Sequence, residues 1–152
     1  SHNMAGWRIG TAVGNKSALE KLLKLKTNAD SGHFGPMLDA ASHAMVLESS
    51  WIQERNEIYR QRRDVIIQSL RKLEVDIQSP QASLYIWCPI PTSWTSEKFA
   101  MAMLKEANVS VAPGTIFGSR GEGFIRISIT QPRKRIEKAM QKMSTWWKTG
   151  DK

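Results

Sequence analysis

Cysteine is nearly missing from this chain of 152 residues. The lone thiol, Cys88, cannot form an internal disulfide, so no covalent staple is expected and a reducing compartment, the cytoplasm, is. No apolar run approaches the ~20 residues that span a bilayer, so no membrane partner is expected. The first residues show no basic stretch followed by an apolar core, so no secretory leader is expected either. His2, His33 and His43 are few and scattered. With no HExxH or CxxC spacing around them, no metal site is expected. Asp30, Ser31 and His33 sit close together, but without a nucleophile elbow a local cluster is not a triad. The run from Gly118 to Gly123 is rich in glycine, yet it precedes a strand pattern rather than a helix. It therefore fails the contexts of both dinucleotide and phosphate loops.

Acidic residues are also in short supply, 14 against 22 basic ones, for a net charge of +8. Such a surplus raises nucleic acid as a partner. The cations, however, are spread over Lys16–Lys26, Arg55–Lys72 and Arg133–Lys148, each time inside an amphipathic helical pattern. That distribution reads as solvated helix faces, and no nucleic-acid partner is expected.

What is present is ordinary in bulk and unusual in detail. Hydrophobic residues make up 41% of the chain, enough at this length for one domain with a real core. Six tryptophans and seven methionines are many. They call for a large core or for surfaces that something else covers.

The stretch from Asn3 to Gly10 reads as a tight turn, with Gly6 supplying backbone freedom, followed by a strand. Trp7, Ile9, Ala12 and Val13 supply apolar surface. Arg8 places a permanent cation between two large apolar residues, and a desolvated cation needs an anion. A phosphate is a reasonable one. So specific a motif, so early in the chain, suggests the back half of something larger.

Further on, Ser17 and Glu20 form a capping box for a helix to about Asn28, with Leu19, Leu22 and Leu23 on one stripe. A polar loop, residues 27–36, leads to a helix with Pro36 in its first turn. Ser50 and Gln53 form a second capping box, opening a helix to about Leu73. At ~23 residues this helix would reach about 35 Å, long enough to bridge two domains. From residue 74 the pattern is β-β-α-β-β-α, with strands over 75–77, 84–88, 109–111 and 124–129. Thr95 or Ser96 caps the first of these helices, which turns Phe99, Met103, Leu104 and Ala107 inward. The last carries Ile136, Met140, Met143 and Trp147 on one face. The result is an α+β fold, a sheet of three or four strands with helices on one face.

In the strongest strand, Ile125, Ile127 and Ile129 share one face, while Phe124, Arg126 and Ser128 share the other. Arg126 is either on a solvated sheet face or aimed at an anion, and the pattern leaves both readings open. Its planar fork suits a carboxylate, which it can grip with two parallel hydrogen bonds. Cys88 lies in an apolar strand and reads as a buried, inert thiol.

Several of these stretches carry a resemblance. The sequence from Asn3 to Gly14 closely resembles the segment after the Schiff-base lysine in class I aminotransferases, pyridoxal-phosphate enzymes of fold type I. Pro113–Gly118 and Gly121–Ser128 are similar to that family's C-terminal signature, and Tyr59–Leu70 to its long interdomain helix. Lys26–Gly32 is similar to the LL-diaminopimelate aminotransferase-like branch.

The resemblance implies residues 1–48 as a remnant of the large cofactor-binding domain, 49–73 as the interdomain helix, 74–148 as the small domain and 149–152 as a tail. It implies that Arg8 holds the phosphate of pyridoxal 5'-phosphate and Arg126 the α-carboxylate of the substrate. The loop from Asn28 to Gly32 would lie near a dimer interface. The intact enzyme would be a homodimer moving an amino group from an amino acid to a 2-oxo acid. The Schiff-base lysine would lie just before Ser1. It is absent here, so no catalytic residue is assigned, and the chain alone is expected to be inactive and not to hold the cofactor stably. Two rivals stand beside this reading: a carbon–sulfur lyase of the same fold type, and a non-catalytic basic interaction module.

Overall fold

Amphipathic periodicity and two short alternating runs account for most of the architecture. The computed structural model describes residues 2–150, and it divides into two units, Ser1–Glu54 and Arg55–Lys152.

The first unit holds a single 3-10 turn at Ala5–Trp7 and the helices α1 (Lys16–Ala29) and α2 (Gly35–Met45). Asn15 rather than Ser17 caps α1, its side chain accepting from the Ala18 N–H at 3.2 Å. Pro36 sits in the first turn of α2, as its fixed φ favours. The strand expected from Trp7 to Val13 does not form. The chain leaves the 3-10 turn through Arg8 in the left-handed region (φ 55°), and residues 9–13 join no ladder. A strand needs a neighbour for its backbone groups, and none lies among the described residues. Nor does Gly6 use its freedom: the left-handed residues here are Asn3 and Arg8. Helix α1 buries none of its residues, and Leu22, Leu23 and Leu25 are all exposed.

The boundary between the units falls inside α3 (Ser50–Arg71). Ser50 lies within this helix, and the backbone carbonyl of Ser49 receives the Gln53 N–H, so the expected capping box is not what opens it. The second unit then adds β1 (Tyr85–Pro89), α4 (Ser96–Ala102), β2 (Ala112–Pro113), β3 (Phe124–Ser128) and α5 (Arg133–Gly150). The sheet is three-stranded and antiparallel, in the order β1-β3-β2, so the α+β reading holds.

Two expected strands differ. Residues 75–77 form none: the end of α3 is closed by the Val75 N–H donating back to the Leu70 carbonyl, with Glu74 at φ 60°, and the segment leaves without a partner strand. The strand expected over 109–111 is displaced to Ala112–Pro113, where Ala112 faces Arg126 and Pro113 faces Ile125. Pro113 has no N–H to donate, which suits an edge position.

The core follows the pleat. Ile86 and Cys88 of β1 and Ile125 and Ile127 of β3 point to one face and are buried. They meet Ile66, Ile67 and Leu70 of α3, Phe99 of α4, and Ile136, Met140 and Met143 of α5. Thr95 caps α4, its hydroxyl accepting from the Lys98 N–H. After Ala102 the helix widens into a π-turn, Met103–Ala107. Met103 and Ala107 stay inside, but Leu104 turns outward and is 45% exposed, against expectation. Helix α5 runs to Gly150, taking in the first half of the expected tail; Asp151 and Lys152, like Ser1, lie outside the described residues. No described helix is long and apolar enough to cross a membrane.

Cys88 is fully buried, and burial pushes its thiol up to about 12. At neutral pH the thiol stays protonated and out of reach. The native chain should therefore resist maleimide labelling at Cys88 until denaturant exposes it; rapid labelling under native conditions would contradict this packing.

Candidate functional site

The outer face of the sheet is aromatic and carries one cation. Tyr85 and Trp87 of β1 and Phe124 and Arg126 of β3 share this face, because the Ile86, Cys88, Ile125 and Ile127 positions between them are inward. In the register, Trp87 lies opposite Arg126 and Tyr85 opposite Ser128, which places Tyr85 diagonal to Arg126. Phe117 arrives from the 3-10 turn Gly114–Phe117 that follows β2. The Arg126 guanidinium carbon lies 4.0 Å from the Tyr85 ring centre and 4.3 Å from that of Phe117. Trp87 stacks on Phe124 at 5.6 Å and meets the Phe117 ring edge-on at 5.8 Å. Tyr85, Trp87 and Phe117 are 39–48% exposed, a large apolar presence beside a charge.

The two readings of Arg126 differ in the partner they require, an anion or water. Some arginines of this unit have acids of their own. Arg60 is held by Glu57 at 2.6 Å and by Asp64 at 3.0 Å, and Arg63 by Asp64 at 2.7 Å. Hydrogen bonds from Arg60 and then Gln61 draw the Glu57 carboxyl down to about 2. Arg126 pairs with no carboxylate among the described residues, although it is half-buried. Its guanidinium carries its N–H donors in a planar fork.

Behind this face lies a knot that fixes the turn carrying Phe117. Gly114 and Gly121 meet backbone to backbone, with room for no Cβ on either. Ser96, fully buried, donates its hydroxyl to the Gly121 carbonyl at 3.2 Å and accepts the Phe124 N–H at 3.2 Å. Glu122 accepts from the backbone N–H of Ser96 at 2.7 Å and of Gly123 at 3.1 Å. The glycine-rich run thus closes the first turn of α4 against the start of β3, a role its sequence context did not reveal. Those two N–H groups, that of Ser96 first, hold the Glu122 carboxyl below the usual carboxylate range. A depressed folded-state pKa stabilises the fold above the unfolded value and ceases to as pH falls through the folded one. Glu122→Gln should therefore flatten the acid limb of the melting-temperature profile and leave its slope above neutrality unchanged; an unaltered acid limb would show that this carboxylate is not linked to folding.

Arg8 belongs to the first unit. Its guanidinium is exposed, its Nη1 lies 3.4 Å from the Ala5 carbonyl, and it pairs with no carboxylate among the described residues. The His33 ring nitrogen Nε2 lies 3.3 Å from the Arg8 carbonyl, so the polar loop before α2 meets the backbone of this turn. Neither arginine borders the cavity of about 350 Å³ between α3, the strand edge and α5, which is lined by Ile66, Ile127, Arg135, Met140 and others. Tyr85 and Phe117 were not singled out by the sequence. The signal for Tyr85 was available, since its alternation with Ile86 and Cys88 puts it on the face of Arg126 once β1 and β3 pair. For Phe117 none was, because a 3-10 turn has no strand register.

Residues 1–143 match the family model described as aminotransferase class I and II. The chain belongs to that family. Among aminotransferases it is similar to the LL-diaminopimelate aminotransferase of Dehalococcoides mccartyi (strain CBDB1), at 42% identity over 149 residues, 98% of this chain and 38% of that protein. An LL-diaminopimelate aminotransferase 2 of a Nostoc species is 40% identical, over 94% of this chain and 37% of its own. Of solved aminotransferase structures, the aromatic aminotransferase of Pyrococcus horikoshii OT3 aligns with a TM-score of 0.91 at 32% identity, covering 97% of this chain and 40% of that one. The chain thus spans about two fifths of the length of the relatives it matches. Enzymes of this aminotransferase family use pyridoxal phosphate. The lyase and basic-module readings are not favoured.

Proposed function

We propose that a polypeptide carrying this segment is a pyridoxal-phosphate-dependent aminotransferase in which Arg126 receives the substrate's α-carboxylate and Arg8 the cofactor phosphate. The observation that carries the reading is Arg126: a half-buried guanidinium set among aromatic rings, with no carboxylate paired to it among the described residues. Desolvated cations of this kind are costly unless an anion completes them, and a planar fork best fits a carboxylate. The exposed guanidinium of Arg8 has the charge and the donors that a phosphate requires. When bound, the cofactor supplies the electron sink for amino-group transfer. This chain's part is to bind and orient: Arg126 fixes the substrate through its carboxylate, and Arg8 anchors the cofactor through its phosphate. The names of the relatives make LL-diaminopimelate the first amino donor to test, with a 2-oxo acid as acceptor. A homodimer in the cytoplasm completes the proposal, as does the division into a large-domain remnant (1–48), an interdomain helix (49–73) and a small domain (74–148).

The test extends the protein to the length of its relatives and loads it with pyridoxal phosphate. Amino transfer from LL-diaminopimelate is expected. Arg126→Gln should raise the KM of both amino acid and oxo acid by on the order of a hundredfold, the loss of a charge-assisted bidentate pair. Arg8→Gln should weaken cofactor binding while leaving substrate KM nearly unchanged at saturating cofactor. Equal KM values for Arg126→Gln and the parent would sink the assignment of Arg126. The 152-residue chain alone should leave the absorption of added pyridoxal phosphate that of the free aldehyde.

A further inference from the structure

We infer that Tyr85 and Phe117 are positioning residues that hold the Arg126 guanidinium from its two sides and leave its N–H fork free for a carboxylate. The inference rests on the reading of Arg126 as the carboxylate receiver and adds to it which side chains set that arginine's geometry.

The strand order supplies the first argument. β3 is the central strand, with β1 on one side and β2 on the other. Tyr85 therefore reaches Arg126 from the β1 side, and Phe117 from the turn that follows β2. Their ring centres lie 4.0 and 4.3 Å from the guanidinium carbon. Directly across from Arg126 on the β2 side stands Ala112, whose methyl group leaves room for the Phe117 ring.

The second argument is chemical. A long, flexible arginine on an open sheet face loses much side-chain entropy when it docks a ligand. Rings on either side remove that freedom beforehand, through attraction between the cation and the ring faces. Neither ring can accept the in-plane N–H groups as a carboxylate does, so the donors remain available. An acidic neighbour would also fix the arginine, but it would occupy the same donors and compete with the substrate. Aromatic holding is the arrangement that orders the cation without satisfying it. The rings are themselves braced: Trp87 meets Phe117 edge-on and stacks on Phe124, and Phe117 rides on the turn locked by the Gly114–Gly121 contact.

The experiment uses the 152-residue chain, with the Arg126 side-chain Nε–H resonance as the reporter and sodium acetate as the carboxylate probe, at low and constant ionic strength. In the parent chain the resonance should shift on titration and saturate. Tyr85→Leu and Phe117→Leu should each bind acetate about three- to tenfold more weakly, with the backbone resonances of Ile125 and Ile127 in place to show an intact sheet. The conservative variants Tyr85→Phe and Phe117→Tyr keep a ring and should restore parent affinity. If the parent's Arg126 ignores acetate, the carboxylate reading of Arg126 falls and this inference with it. If the parent responds and both leucine variants bind acetate equally well, the positioning role alone is overturned. Loss of binding in the ring-keeping variants would also overturn it, since a ring would then not be what is needed.

Discussion

Gly121→Ala is expected to destabilise the second unit by about 3 kcal/mol or more, the upper end of what overpacking costs. The added methyl would have to occupy the space of the Gly114 backbone, and the reciprocal substitution would drive a methyl into the Gly121 carbonyl and to 2.8 Å from that of Phe124. These obstacles are backbone, not flexible side-chain ends, so neither can swing aside. Gly121 itself has an ordinary φ, so the penalty is spatial and not conformational. Gly118 offers the control. It sits in the left-handed region at φ 117° with open space around its Cβ position, so its alanine variant pays backbone strain alone, of order 1 kcal/mol. For a unit of roughly 100 residues, 3 kcal/mol corresponds to a fall of roughly 12–24 °C in melting temperature. A Gly121→Ala variant that melts within a few degrees of the parent would show that the two segments can separate without loss.

Phe99→Ala is the second large effect. Phe99 is 1% exposed and is packed edge-to-face by Trp94 at 5.8 Å, Trp146 at 5.1 Å and Trp147 at 4.9 Å. Removing a buried ring loses its transfer free energy and leaves a cavity, a cost of about 3–5 kcal/mol. Three surrounding indoles cannot collapse into the space easily, since Trp146 is also tethered through its Nε1–H, which donates to Glu106 at 2.7 Å. The expected result is a lower denaturation midpoint with an unchanged slope. Phe99→Leu should recover part of the difference. A loss below about 1 kcal/mol would mean that the indoles do refill the space, in conflict with the cavity cost assumed here.

The sequence disclosed these features unevenly, for physical reasons. Helical stripes were legible because a 3.6-residue period survives without knowledge of partners: Ile136, Met140, Met143 and Trp147 lie inside as their spacing implied. Strands were legible where a run has a neighbour. Leu84–Cys88 and Phe124–Ile129 are matched by β1 and β3, while 75–77 and the stretch after Trp7 have the composition of strands but no partner here. Caps were harder, because several side chains compete within one turn: Thr95 was among the candidates, and Asn15, not Ser17, won at α1. At the candidate site the charge was visible and its setting was not. Arg126 stood out against apolar neighbours, but Phe117 reaches it through a 3-10 turn, and the Ser96–Glu122–Gly121 knot joins segments about 25 residues apart, with no periodicity to announce it.

The bareness of α1 has a consequence for amide exchange. A helix of 14 residues that buries none of them rests on its own propensity and local ion pairs, such as Lys26 with Asp30. Helices of that length are marginal in water. The amides of Leu22–Leu25 in this chain should therefore exchange with deuterium at nearly the rate of an unstructured peptide. Those of Ile125 and Ile127 should wait for the unit around them to open globally, slower by several orders of magnitude. One protein would then show two clocks, and anything that slows the faster one has found the leucine face of α1.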